Sequence, residues 1–155
     1  MRVLVAGVGN IFLGDDGFGA EVARVLGDRP LPDGVRVTDY GIRGLHLAYD
    51  LLDGWDRLIL LDAIPGRGRP GTVHVMRIDP DSLPPGDPDP HGMAPHAVLA
   101  SVRALGGDLP ETLLVGCEAV DTADRIGLSP LVAAAVGPAA DAVLGLLEPV
   151  AAGRD

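Results

Sequence analysis

Two kinds of hydrophobic pattern, one typical of strands and one typical of helices, alternate along the chain. Short apolar or alternating runs predict strands at about residues 2–8, 35–40, 57–62, 71–78 and 112–117. Apolar residues at helical spacing fall between and after them, at about 16–27, 45–52, 98–105 and 130–147. Strands that alternate with helices predict a three-layer α/β/α sandwich around a mostly parallel sheet of about five strands. We expect a phosphorylase/hydrolase-like fold that forms a single domain over residues 1–155.

Prolines mark the places where the pattern is interrupted. Residues 79–95 contain six prolines and no apolar periodicity, which predicts a long loop of the kind that is usually functional or disordered. Ser129 followed by Pro130 predicts the start of the last helix, with a serine cap and proline in the first helical position. Within that helix, Gly137 and Pro138 predict a kink or a break.

Charge and cysteine content limit the kinds of partner and the cellular compartment that we expect. The formal net charge is -10 and no basic run occurs, which argues against nucleic acid or an anionic membrane as a partner. The single cysteine, Cys117, cannot form an internal disulfide, as is usual in a reducing compartment. No signal peptide or membrane span is visible in the pattern. We therefore expect a cytoplasmic protein.

Acidic residues come at the predicted ends of two strands. Asp15 and Asp16 lie between the first strand and the first helix, and Asp62 closes the third strand. In open α/β sheets, ligands bind at the carboxyl ends of the strands. His91, in the long loop, can reach the same edge. Two carboxylates and an imidazole with open positions suit a divalent transition metal ion, so Asp16, Asp62 and His91 form a candidate ligand set.

Structural roles are the alternative for several of these residues. Asp15 is expected to cap the first helix by accepting N–H groups of its first turn. Asp16 can serve as a first-turn acid that the helix dipole favours. His91 can be a simple loop residue, and His74 is expected on the solvent face of its strand. Cys117 is expected to be a buried apolar filler.

The sequence lacks the motifs that several other kinds of active site require. The chain has no Gly-Lys-Ser/Thr sequence, which excludes a phosphate loop of the Walker type. None of the three serines stands in a nucleophile elbow. Gly7 and Gly9 lack the third glycine of a dinucleotide fingerprint, because Phe12 stands there. A nucleotide-binding α/β module without enzymatic activity nevertheless remains an alternative.

Several short blocks, in order along nearly the whole chain, resemble the nickel–iron hydrogenase maturation endopeptidases. The blocks are Gly7-Val8-Gly9-Asn10 with Asp15-Asp16-Gly17-Phe18-Gly19, Asp39-Tyr40-Gly41 with Gly44-Leu45, Leu61-Asp62-Ala63 with Pro70-Gly71-Thr72-Val73, Asp89-Pro90-His91-Gly92-Met93, Val115-Gly116-Cys117-Glu118, and Leu128-Ser129-Pro130. No single block is decisive, but together they are specific to that family.

The resemblance implies a substrate and a set of site residues. Such enzymes remove a short C-terminal extension from the hydrogenase large-subunit precursor after nickel has been inserted. The matching nickel contacts are Asp16, Asp62 and His91, with His96 as the second choice for the histidine. Nickel is then supplied by the substrate, and the resting enzyme, expected to be a monomer, holds none. Two catalytic schemes remain open: Asp16 or Asp62 can act as a general base, or nickel can activate water or the scissile carbonyl. The alternative function is a non-enzymatic nickel- or nucleotide-binding α/β module.

Overall fold

The computed structural model describes residues 1–79 and 95–147. The strands are β1 (Val3–Val8), β2 (Val35–Gly41), β3 (Arg57–Ile64), β4 (Val73–Ile78) and β5 (Glu111–Glu118). The helices are α1 (Phe18–Gly27), α2 (Gly44–Leu51), α3 (Pro95–Ala104) and α4 (Pro130–Leu147). A short 3-10 turn, Gly14–Gly17, precedes α1.

Within the described residues, the sheet has five strands in the order β2-β1-β3-β5-β4. The first four strands in this order are parallel, and β4 pairs antiparallel with β5 at the edge. This confirms the predicted three-layer sandwich and the edge position of the fourth strand. We call the edge at which β1, β3 and β5 end, at Val8, Ile64 and Glu118, the rim.

Two hydrophobic cores cover the two faces of the sheet. One core joins the sheet to α1 and α4, and the other joins it to α2 and α3. Successive side chains of a strand point to opposite faces, so Ile59 and Leu61 enter the first core, whereas Leu58 and Leu60 enter the second. The continuous apolar run of β3 is therefore explained by burial on both faces.

Glycine brings α1 directly against the sheet next to the rim. A Cβ on Gly7 would lie 2.6 Å from the carbonyl oxygen of Gly19. A Cβ on Gly19 would overlap the carbonyl oxygen of Leu61. The start of α1 thus touches β1 and β3, which places the 14–17 turn at the rim.

Helix α4 differs from its prediction in one respect. It begins at Pro130, as predicted, but it continues to Leu147 as one helix, so Gly137 and Pro138 do not divide it. By length and composition alone α4 could also cross a membrane, with a mean hydropathy of 1.7. In this fold it contributes side chains such as Val136 and Val143 to the first core.

Strand β3 is longer than its pattern predicted. Its pairing with β5 continues through Ile64, opposite Glu118, so Asp62 lies within the strand and not beyond its end. The pairing of β3 with β1, however, stops at Leu61 opposite Gly7. Asp62 is therefore the first residue of β3 past the paired part of β1.

Candidate functional site

A cleft of about 440 Å³ opens at the rim, beyond the ends of β3 and β5. Asp16 belongs to its lining, and the residue after Asp62 does too. The full lining consists of Asp16, Ala63, Ile64, Pro65, Gly66, Ala119, Val120, Asp121 and Thr122. A cleft at the carboxyl ends of parallel strands is the expected place for a ligand in an open α/β sheet.

Asp16 enters the cleft from the 14–17 turn. Its carboxylate is half-buried, and Oδ2 accepts the backbone N–H of Asn10 at 2.8 Å. Gly9 has a φ of 127°, and a Cβ there would overlap the carbonyl oxygen of Asp16. The glycine thus permits the close approach that brings Asp16 against the end of β1.

Asp62 reaches the rim from the neighbouring strand. It is half-buried and lies opposite Gly116 of β5. By the alternation of β3, its side chain is on the face of Leu58 and Leu60, which α3 covers. The structure therefore brings Asp16 and Asp62 to the same edge of the sheet on adjacent elements.

The structure does not describe the side chains of the two candidate histidine ligands, His91 and His96. His91 lies outside the described residues, and His96 is described only as backbone in the first turn of α3. Over residues 1–79 and 95–147, no three His, Cys, Asp or Glu side chains stand close enough to hold a metal ion. The histidine contact stays a prediction.

Asp15 has a role that differs from its prediction as a helix cap. It is fully buried, and its carboxylate binds the segment between β5 and α4 instead of the first turn of α1. Its Oδ2 accepts the N–H groups of Val120 and Asp121 at 2.8 and 2.9 Å and the Ser129 hydroxyl at 2.8 Å. Its Oδ1 accepts the Ser129 N–H at 2.6 Å.

These hydrogen bonds keep Asp15 ionised. Burial acts to raise the pKa of Asp15, but the bonds from Ser129, Asp121 and Val120 together outweigh it and lower the pKa below its ordinary value. A buried carboxylate with four donors is stable as an anion, because every donor favours the charged form. Asp15 is accordingly a structural anion that binds Val120 and Asp121, two residues of the cleft lining.

Backbone pairing strengthens the same junction. The N–H groups of Gly14 and Asp15 donate to the carbonyls of Arg125 and Asp121, both at 2.8 Å. The Arg125 N–H in turn donates to the Phe12 carbonyl at 3.0 Å. The turn that carries Asp16 is therefore fixed to the chain segment that forms the opposite side of the cleft.

A second buried carboxylate, Glu118, lies at the end of β5, and sequence analysis missed it. Its Oε2 lies 2.6 Å from Nε2 of His74, and its Oε1 accepts the N–H groups of Arg67 and Arg69. The contact with His74 and the two backbone N–H bonds lower the pKa of Glu118 to about 2, although burial acts to raise it. The expectation that His74 faces solvent is wrong, because it turns toward this carboxylate.

Cys117 fits its expected role as a buried filler. Its thiol is fully buried in the first core. Burial, then the nearby charges of Asp15 and Glu118, raise the pKa of the thiol to about 11. A thiol of that pKa is protonated at neutral pH and does not act as a nucleophile.

Large apolar side chains surround the rim on the outer surface. Ile11 and Phe12 are 45% and 59% exposed, and Val120 and Ile126 are 50% and 74% exposed. Ile11 and Ile126 line a further cleft of about 440 Å³ beside the 14–17 turn. Exposed apolar surface of this kind marks sites that bind other macromolecules.

The glycines that suggested a nucleotide site are explained by internal packing. The space next to Gly7 is occupied by the Gly19 backbone, and that next to Gly9 by the Asp16 carbonyl. A phosphate-binding turn needs such space open to the ligand. Packing of the 14–17 turn and α1 therefore accounts for both glycines without a nucleotide.

Comparison with known proteins identifies the family of this chain. A family model described as hydrogenase maturation protease matches residues 20–146. The hydrogenase 2 maturation protease of Escherichia coli is 37% identical over 151 residues, covering 95% of this chain and 91% of that protein. A putative hydrogenase maturation protease of Methanocaldococcus jannaschii is 36% identical over 150 residues, covering 92% and 94%.

The fold agrees as well. The solved structure of the hydrogenase maturating endopeptidase HybD from Escherichia coli superposes with a TM-score of 0.81 at 36% identity, covering 95% of this chain and 92% of that one. Similarity of sequence and of fold thus extends over nearly the full length. The chain belongs to the hydrogenase maturation protease family.

Proposed function

We propose that this protein is an endopeptidase that removes the C-terminal extension from the nickel-loaded precursor of a nickel–iron hydrogenase large subunit. Family membership supports the general activity. The observation that carries the finer proposal is the placement of Asp16 and Asp62 on adjacent elements at the rim, with Asp16 in an open cleft. Such carboxylates are accessible to a group presented by another protein.

The donor set suits nickel that arrives with the substrate. Asp16 and Asp62 provide carboxylate oxygens, and the proposed His91 provides an imidazole nitrogen. Helix α3 starts four residues after His91 and packs on the face of β3 that carries Asp62. The resemblance of the block Asp89-Pro90-His91-Gly92-Met93 to the family favours His91 over His96. The Asn10 N–H on Oδ2 of Asp16 orients that carboxylate.

Recognition and proton transfer are the two tasks of these residues. Binding of the precursor's nickel by Asp16, Asp62 and His91 would admit only a nickel-loaded precursor. In the cleavage itself, water attacks the scissile carbonyl and loses a proton. In our proposal a carboxylate of the pair, Asp16 or Asp62, accepts that proton and passes it to the leaving amine as the C–N bond breaks. We propose that the peptide carbonyl lies in the cleft, between Pro65 and Val120.

The surface around the cleft supports a protein substrate. The exposed apolar side chains of Ile11, Phe12, Val120 and Ile126 adjoin the cleft or the turn that carries Asp16. Burial of these side chains against a partner would contribute about 25 cal/mol for each Å² of apolar surface removed from water. A small-molecule substrate would leave them exposed.

Mass spectrometry of a purified precursor incubated with this protein tests the proposal. Nickel-loaded precursor should lose its extension, and nickel-free precursor should remain intact. Asp62→Ala should fold and leave the loaded precursor uncut. Asp141→Ala, which removes an exposed carboxylate of α4, should cleave at the normal rate. Normal cleavage by Asp62→Ala would contradict the assigned role.

A second set of variants tests the histidine. His91→Ala should abolish processing, whereas His96→Ala should retain it. His46→Ala is the control, since this histidine is half-exposed on α2. Loss of processing in His96→Ala alone would transfer the role to that residue. Calorimetry with adenine nucleotides tests the alternative, and tight nucleotide binding without precursor cleavage would favour a binding module.

A further inference from the structure

One wall of the cleft depends on a buried glutamate outside the proposed nickel contacts. The chain leaves β3 at Ile64 and forms a loop, residues 65–71, before β4. We call this the wall loop. Its first two residues, Pro65 and Gly66, line the cleft together with Asp16. Residues 65–70 are exposed, so the loop has little core packing of its own.

Hydrogen bonds to Glu118 and its neighbour hold the wall loop in place. The Glu118 Oε1 accepts the N–H of Arg67 at 2.6 Å and that of Arg69 at 3.0 Å. The Glu118 carbonyl accepts the Gly71 N–H at 2.8 Å. At the other end, the Ala119 N–H donates to the Ile64 carbonyl at 2.9 Å. Only the middle of the loop therefore depends on the side chain.

His74 completes the arrangement from the edge strand. Its Nε2 lies 2.6 Å from Oε2 of Glu118, so both carboxylate oxygens have partners. Glu118 is 1% exposed, and His74 is 31% exposed at the side chain. A buried carboxylate is costly unless it is fully bonded, and this one is bonded mainly to a loop at the cleft. Such a residue fits a positioning role better than a packing role.

We propose that Glu118 is a positioning residue for substrate binding, and that it acts by fixing the wall loop against which the precursor's C-terminal segment lies. The proposal rests on the proposed function. Glu118 itself does not touch the substrate, because it is covered by the loop. Loss of its carboxylate leaves the two loop N–H groups unbonded and lets the middle of the loop move, which weakens binding without removing Asp16 or Asp62.

Three substitutions separate this role from a merely structural one. Glu118→Ala removes both acceptors. Glu118→Asp keeps the charge but withdraws the carboxylate from the loop, and it serves if the alanine variant fails to fold. Glu118→Gln keeps one oxygen for the loop N–H groups, while its amide nitrogen takes the place of the oxygen that faces Nε2 of His74. Glu111→Ala is the control, since Glu111 lies at the opposite end of the same strand and binds Arg57.

Kinetics of precursor cleavage give the first measurement. We expect Glu118→Ala and Glu118→Asp to raise KM at least tenfold with kcat within about threefold of the wild type. Glu118→Gln should restore KM to within about threefold, and Glu111→Ala should leave KM unchanged. An unaltered KM in both Glu118→Ala and Glu118→Asp would overturn the proposal, and so would an equal loss in Glu118→Gln.

Amide hydrogen exchange gives a measurement that does not require activity. The amides of Arg67 and Arg69 should be protected in the wild type and in Glu118→Gln, and should exchange at least tenfold faster in Glu118→Asp. Absence of this change would refute the fixing of the loop. If the exchange changes as expected but the wild type cleaves no precursor, the proposed function fails while the loop's dependence on Glu118 stands.

Discussion

Replacement of Asp15 tests how the site is held together. In Asp15→Asn, the side chain keeps its shape but loses its charge and one acceptor. If the amide oxygen takes the place of Oδ2, it retains the bonds from Val120, Asp121 and the Ser129 hydroxyl. The amide nitrogen then faces the Ser129 N–H, which approached Oδ1 at 2.6 Å. Two donors would oppose each other in a buried position.

The magnitude follows from these bonds. A buried donor left unsatisfied costs about 1–3 kcal/mol, and bonds to a charged group are worth about 1.5–3 kcal/mol against roughly 1 for neutral ones. The free energy of unfolding of Asp15→Asn should therefore fall by about 3 kcal/mol. Asp15→Ala, which leaves all four donors without an acceptor, should lose about 4–5 kcal/mol. For a chain of this length, about 3 kcal/mol lowers Tm by roughly 6–12 °C.

Urea unfolding followed by circular dichroism, at several pH values, is the assay. The pKa of Asp15 is lowered in the folded state, so its stabilisation is complete above the ordinary aspartate pKa and is lost as pH falls through the folded value. The gap between wild type and Asp15→Asn should therefore be largest near pH 7 and should narrow below about pH 4. Asp33→Asn, at an exposed turn position, should stay within about 0.5 kcal/mol. A gap below about 1 kcal/mol at pH 7, or one that widens in acid, would refute the reasoning.

Other predictions concern packing, ionisation and surface. Gly19→Ala should prevent stable folding, because its Cβ would overlap the Leu61 carbonyl. Gly27→Ala is the control in the same helix: the space around Gly27 is open, so this variant should be neutral or slightly stabilising in thermal unfolding. Cys117 should resist alkylation in the native protein and react on unfolding, as mass spectrometry after iodoacetamide treatment would show. The lowered pKa of Glu118 predicts stabilisation that is complete above about pH 4.5 and is lost toward pH 2, and acid titration of Glu118→Gln should show a shallower decline. Ile126→Ser should raise KM for the precursor several-fold at unchanged Tm, because this side chain is 74% exposed.

The layer architecture was predictable because it depends on local patterns. The uninterrupted apolar run of β3 and the helical spacing of α1 identify a buried strand and a covering helix without any knowledge of partners. The end of β3 was not predictable in the same way. Its last two residues remain paired because β5 continues to Glu118, and that register is set by a segment more than fifty residues away.

The roles of Asp15 and His74 depend on contacts that sequence spacing does not reveal. Asp15 binds groups 105–114 residues later in the chain. In β4 the side chains alternate regularly, but His74 takes an inward position and the apolar Val75 an outward one, 48% exposed. One signal was present, however. Glu118 directly follows a buried apolar run, and the cost of burying an unpartnered charge indicates that such a residue has a partner.

Four of the carboxylates near the rim, those of Asp15, Asp16, Asp62 and Glu118, divide into two kinds by their surroundings. Asp15 and Glu118 are fully buried, and the chain's own donors satisfy both oxygens of each. Asp16 and Asp62 are half-buried, and Asp16 opens onto the cleft. A fully buried carboxylate with donors on both oxygens is a poor metal ligand, because a ligand bond would replace bonds of similar strength. The buried pair therefore fixes the two loops on either side of the cleft, and in our proposal the half-buried pair binds the cation that a partner brings.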